Sequence, residues 1–196
     1  MPADISKPSV TRGAPQELLD LIPRMPLLPG EDAAAFADLR QGFLAELAPS
    51  TPYQTALAEN LVVLEWEVHR HRNLHNGLLR TSTRKTAQKR WETETHGPFG
   101  DALGVSQEAK EFAEGLLDPA SEHAGSSING LAEREIDLTE IVATAYREVA
   151  DALQMHERKL ADLEKRRRHL RDDYDRLKAA RTHVIEDAKF VTDHDD

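Results

Sequence analysis

The chain has no cysteine, which excludes disulfides, thiolate nucleophiles and zinc sites of the cysteine type. Aromatic residues are scarce at 5%, and hydrophobic residues reach only 39% against 31% charged. So little apolar mass cannot fill a wide globular core, yet it is too much, and too regularly spaced, for a disordered chain. No stretch approaches the ~20 apolar residues needed to span a bilayer. The opening MPADISKPSVTRGAPQ lacks the apolar segment of a secretion signal, so a cytoplasmic protein without a membrane partner is expected. There is also no glycine-rich phosphate loop and no Gly-x-Ser-x-Gly elbow. These absences point to a protein that is not an enzyme, with no catalytic residues and no cofactor.

What the chain does have is charge, unevenly placed. The formal net charge is −10. Val68 to Trp91 nevertheless holds seven Arg or Lys and no acid, whereas Glu92 to Glu157 holds fifteen acids and three bases. Such blocks either neutralise one another or leave a basic face for an anion.

Helical periodicity dominates, so the expected fold is all-α. Residues 1–30 carry six of the ten prolines and form a largely irregular arm, with a short helix near Glu17–Ile22. The region 31–118 is helical. Pro29-Gly30-Glu31-Asp32 makes a turn, and Phe36, Leu39, Phe43, Leu44 and Leu47 then recur on one helical face. Pro49-Ser50-Thr51-Pro52 breaks the chain, with Ser50 or Thr51 as cap and Pro52 in the first turn of the next helix. The pattern predicts an αα-hairpin over 33–79. A basic segment, 80–91, follows whose state propensity does not decide, then a Gly97-Pro98-Phe99-Gly100 turn and a short helix over 106–117. The polar stretch 119–130 reads as a linker.

From Leu131 onward no Gly or Pro occurs, and the spacing predicts one long helix over 131–190, ending in an acidic tail at 191–196. Asp137, with Glu140 three residues on, resembles a capping pair. In heptads the d positions are Val142, Val149, His156, Leu163, Leu170, Leu177 and Val184, and the a positions are Tyr146, Leu153, Leu160, Arg167, Tyr174 and Arg181. Sustained 3-4 spacing of this kind predicts a coiled coil. A rod of ~75–85 Å needs another helix over its stripe, so a homo-oligomer or a helical protein partner is expected. His156, Arg167 and Arg181 interrupt the seam and suit register-specific pairing.

Residues 26–80 resemble a segment found in a family of uncharacterised bacterial proteins. Leu28-Pro29-Gly30-Glu31-Asp32, Glu46-Leu47-Ala48-Pro49 and Leu61-Val62-Val63-Leu64-Glu65-Trp66 carry the resemblance. Relatives have arginines directly after the Trp, where this chain has Glu67, Val68 and His69 before Arg70. The resemblance implies the αα-hairpin and no activity.

Two further clusters are candidates for binding. Glu67, His71 and His75 are each four residues apart and share one helix face, as a zinc or nickel site requires. The competing reading is two histidines packed in an apolar stripe. Arg70, Arg72, Arg80, Arg84, Lys85, Lys89 and Arg90 could neutralise phosphates, with Trp91 stacking on a base. Their competing role is to pair with the acidic segment that follows. Lys165 to Arg168 lies inside the heptads and is better explained by ion pairs. The leading expectation is therefore a self-associating helical scaffold or adaptor. The rival is a nucleic-acid-binding accessory factor, related to a mobile element or phage.

Overall fold

The structure is a computed structural model that describes residues 27–97 and 104–192, with side chains through residue 180. The arm before residue 27, the turn at residues 98–100, the tail at 193–196 and the seam side chains of Arg181 and Val184 lie outside the described residues. Within them the chain is all-α. Six helices follow one another: α1 Ala33–Leu47, α2 Pro52–His96, α3 Gln107–Leu117, α4 Ala124–Glu133, α5 Leu138–Glu148 and α6 Ala150–Thr192. No described helix is long and apolar enough to cross a membrane.

Local chemistry sets most helix starts. Asp32 accepts from the N–H groups of Ala34 and Ala35, Ser106 from Ala109 and Asp137 from Thr139, each satisfying donors that the first helical turn leaves open. At α2 it is Thr51 that caps, accepting from Gln54 N–H at 3.1 Å, while Gln54 Oε1 accepts from both the N–H and the hydroxyl of Ser50. Pro52 is then the first helical residue.

Three expectations need correction. The second helix does not stop near Leu79; it runs to His96 and takes in the whole basic segment. Ser82, Thr83, Ala87 and Trp91 are buried along that stretch, and their burial supplies the stability that propensity does not. The stretch 119–130 is no linker, because α4 begins at Ala124 and buries Ser127 and Gly130. The C-terminal helix is not continuous from 131. Its first break is a Schellman turn: Glu135 sits in the left-handed region at φ 53, Ile136 N–H donates to Leu131 O at 2.9 Å, and Glu135 N–H donates to Ala132 O. The second break is a single residue, Val149 at φ −114 and ψ 12, whose N–H turns to Tyr146 O.

The described residues form two compact units, 27–68 with 162–192 and 69–97 with 104–161. In the first unit α1 and the start of α2 make the expected antiparallel hairpin. Phe36 meets Trp66 edge-on at 5.1 Å, and Arg40 forks onto Glu59. Leu47, Leu57, Ala58, Leu61 and Tyr174 are its core, with Leu170 packed against them. Tyr174 on α6 donates its hydroxyl to Leu47 O at 2.9 Å, and Lys178 Nζ donates to the same carbonyl. Both complete the C-terminal end of α1, where a cation also suits the helix dipole. Burial pushes the Tyr174 hydroxyl above its ordinary pKa.

In the second unit the later part of α2 packs with α3, α4 and α5. Its core is Ala87, Trp91, Ala109, Phe112, Ala113, Ile136 and Ile141. Gly115 lets α3 lie against the chain entering α4: a Cβ there would overlap the His123 carbonyl and the Ser127 hydroxyl. Gly130 does the same beneath Trp91, whose ring would stand 2.9 Å from an added Cβ.

Candidate functional site

The heptad seam is largely covered by this chain's own helices. Leu163 and Tyr174 are buried in the first unit, where Arg167 pairs with Glu65 at 2.7 Å. Leu170 is half-buried there and Leu177 exposed, while Leu160, in the second unit, is half-buried. In the second unit Leu153 and His156 are buried and Val149 is half-buried. The partner helix that the stripe requires is thus α2 and, in the first unit, α1 as well.

On α5 the seam rotates. Ile141 and Ala145 face inward, so Val142 and Tyr146 turn outward by one position. The sequence heptads, drawn straight through Val149, placed the wrong pair inside. With Leu138 they leave an apolar row at i, i+4 and i+8, 42%, 39% and 42% exposed.

The proposed metal trio does not assemble. His71 turns to His156 instead, with the Nδ1 atoms 2.8 Å apart, and His75 Nε2 lies 3.5 Å from Glu157. A single proton bridges the His71–His156 pair, because one ring must donate and the other accept. Glu67 is half-buried. Among the described residues no group of three or more His, Cys, Asp or Glu is placed to hold a metal ion.

The basic segment divides in two. Trp91 is 9% exposed, 4.5 Å from Phe112 and covered by the Arg134 guanidinium at 3.8 Å, so it is a core residue and offers no face to a base. Arg90 pairs with Glu94 at 3.1 Å and lies 3.9 Å from Glu140. Arg70 is half-buried, while Arg72, Arg80, Arg84, Lys85 and Lys89 are exposed. Glu92, next to Trp91, is buried and accepts from Ser106 N–H at 2.6 Å. That bonding, from the Ser106 side chain and backbone, holds its carboxyl below the ordinary glutamate pKa.

Sequence reasoning missed two clefts in this unit. A small one of about 170 Å³ lies beside Thr86, Arg90, Ile141 and Thr144. A larger one, about 470 Å³, lies where Arg80, Arg84 and Gln88 of α2 face Lys110 and Glu114 of α3. The i, i+4, i+8 spacing of the α2 residues was visible in the sequence; that α3 would lie opposite them was not. No protein-family model, curated protein or solved structure matches this chain.

Proposed function

We propose that this chain is a non-enzymatic helical adaptor that associates with a second copy of itself through α5. The observation that carries the reading is the exposed row Leu138, Val142 and Tyr146. An apolar row on a helix whose other face is already buried is what a partner helix would cover. In an antiparallel pairing of two copies centred on Val142, Leu138 of each lies opposite Tyr146 of the other. Arg147, in the last turn, then comes near the N-cap residue Asp137. A two-fold contact of this kind is self-complementary. This reading keeps self-association but moves it from the buried seam of α6 to α5.

Light scattering coupled to size exclusion tests it. The expected mass is twice the 22.0 kDa of one chain, returning to the single-chain value in Val142→Glu. A wild-type chain that stays at the single-chain mass across the accessible concentration range would sink the proposal.

One observation favours a second reading, a nucleic-acid accessory factor. Arg80, Arg84 and Lys85 are exposed on α2, and the first two share one face with the cleft. This reading no longer includes stacking by Trp91. It expects binding to single- or double-stranded DNA that weakens steeply with salt and is lost when the three are neutralised. Absence of binding at low salt disposes of it.

A further inference from the structure

We propose that the cleft between α2 and α3 binds a small phosphate ester that also carries amine or hydroxyl donors. The inference stands apart from the adaptor reading and competes with the nucleic-acid reading for Arg80 and Arg84. The cleft holds about 470 Å³, within the range of small-ligand sites. One wall is α2, which presents Arg80, Arg84 and Gln88 at successive i+4 steps on one face. The other is α3, with Lys110 and Glu114, closed by Asp118 at its end.

Both walls are held from behind. Thr83 and Ala87 are buried on α2, and Ala109, Phe112 and Ala113 on α3. The start of α3 is tied by Ser106 to Glu92, and its last turn is wedged at Gly115 against His123 and Ser127. Fixed walls remove the backbone share of the ordering cost at binding, leaving only that of the exposed Arg80, Arg84 and Lys110 side chains.

The cations at the cleft are uncommitted. Among the described residues Arg80, Arg84 and Lys110 form no ion pair, although Glu114 and Asp118 line the same cleft. Nearby cations are differently employed: Arg90 meets Glu94 and Glu140, and Arg134 covers Trp91. Three cations against two carboxylates leave the cleft with one positive charge in excess, and an anion seated at the cationic side neutralises it.

Donor count selects the anion. Two guanidinium forks and an ammonium offer more hydrogen-bond donors than one carboxylate accepts, and a phosphate monoester matches them better. The far side selects the rest of the ligand. Glu114 and Asp118 are acceptors, and Asp118 Oδ1 already takes the Ala120 N–H at 3.0 Å. They favour a ligand that brings amine or hydroxyl donors and oppose a second phosphate. A nucleic-acid strand, with a charge at every nucleotide, fits this mixed lining poorly.

Calorimetry and thermal shift on the full chain test the proposal with four probes: inorganic phosphate, glucosamine 6-phosphate, glucosamine and a single-stranded oligonucleotide. Glucosamine 6-phosphate should bind more tightly than inorganic phosphate, and glucosamine alone should not bind. Arg84→Gln and Lys110→Gln should each weaken it about tenfold or more, the scale of a charge-assisted hydrogen bond. Glu114→Gln should remove the advantage over inorganic phosphate. Lys85→Gln, outside the cleft, should change nothing and serves as the folding-neutral control. No binding of either phosphate probe overturns the proposal. So does an oligonucleotide that displaces the sugar phosphate and is weakened equally by Lys85→Gln, because the surface would then be a general polyanion binder.

Discussion

The two units of this protein meet their physical requirements differently. The first is a closed arrangement: apolar side chains of α1, α2 and α6 cover one another, and Tyr174 and Lys178 complete the end of α1. Its polar groups mostly face partners within the unit, as with Arg40 and Glu59 or Arg167 and Glu65. The second inserts two short helices, α3 and α4, against α2, and the fit depends on glycines and an aromatic pair. That insertion creates the cleft, and the register change on α5 exposes an apolar row. The features that could engage a ligand or partner therefore gather in the unit with the less regular packing. Regular pairing of long helices leaves few concavities, whereas short helices crossing a long one leave several.

The largest expected effect tests whether the units answer separately. Leu163→Ala in the first unit and Leu153→Ala in the second each remove a side chain that is 0% exposed. Each should cost about 2–5 kcal/mol, read by urea denaturation. Hydrogen exchange should accelerate mainly in the unit that carries the change; equal acceleration in both breaks the contrast. A somewhat smaller effect sharpens the second unit's dependence on close approach. Gly115→Ala places a methyl into the His123 carbonyl and should destabilise by about 1–3 kcal/mol. Its amides in α3 and α4 should exchange fastest, and unchanged exchange there contradicts the wedge.

Acid sensitivity should also divide along the same line. The Glu92 carboxyl is held below its ordinary value by Ser106, so the folded state binds its proton less readily than the unfolded chain. Its contribution is present above the ordinary glutamate range, roughly pH 4.3, and is lost as pH falls through the lower folded value. Glu92→Gln should lower stability at neutral pH and flatten the acid limb of the second unit's stability profile. An unaltered slope would show that Ser106 does not favour the charged form. The smallest effect concerns Glu135, which holds a left-handed φ of 53 without being glycine. Glu135→Gly should be neutral or stabilising by up to ~1 kcal/mol in thermal melts; a clear loss would mean that its side chain supports the turn.

The starts of α1, α2, α3 and α5 were legible because they are local, whereas those of α4 and α6 were not. Asp32, Thr51, Ser106 and Asp137 cap from within three residues of the bonds they satisfy. The stops of α1 and α3, at Leu47 and Leu117, were legible too, but those of α4 and α5 were not, because Glu135 takes a left-handed position usually marked by glycine and Val149 interrupts a helix with no Gly or Pro nearby. The two clusters picked for chemistry failed for the same kind of reason. His71 and Trp91 have the right residue types, but their partners, His156 at 85 positions' separation and Arg134 just past the end of α4, come from distant parts of the chain.

By itself, then, the sequence determined an all-helical chain, the α1–α2 hairpin and an apolar stripe that had to be covered, since periodicity and capping act over a few residues. The tertiary structure alone decided what covers the stripe, that Trp91 is core, and that Arg80, Arg84 and Lys110 share a cleft. Those outcomes depend on contacts between residues far apart in the chain, whose energies outweigh the small local preferences that a sequence displays.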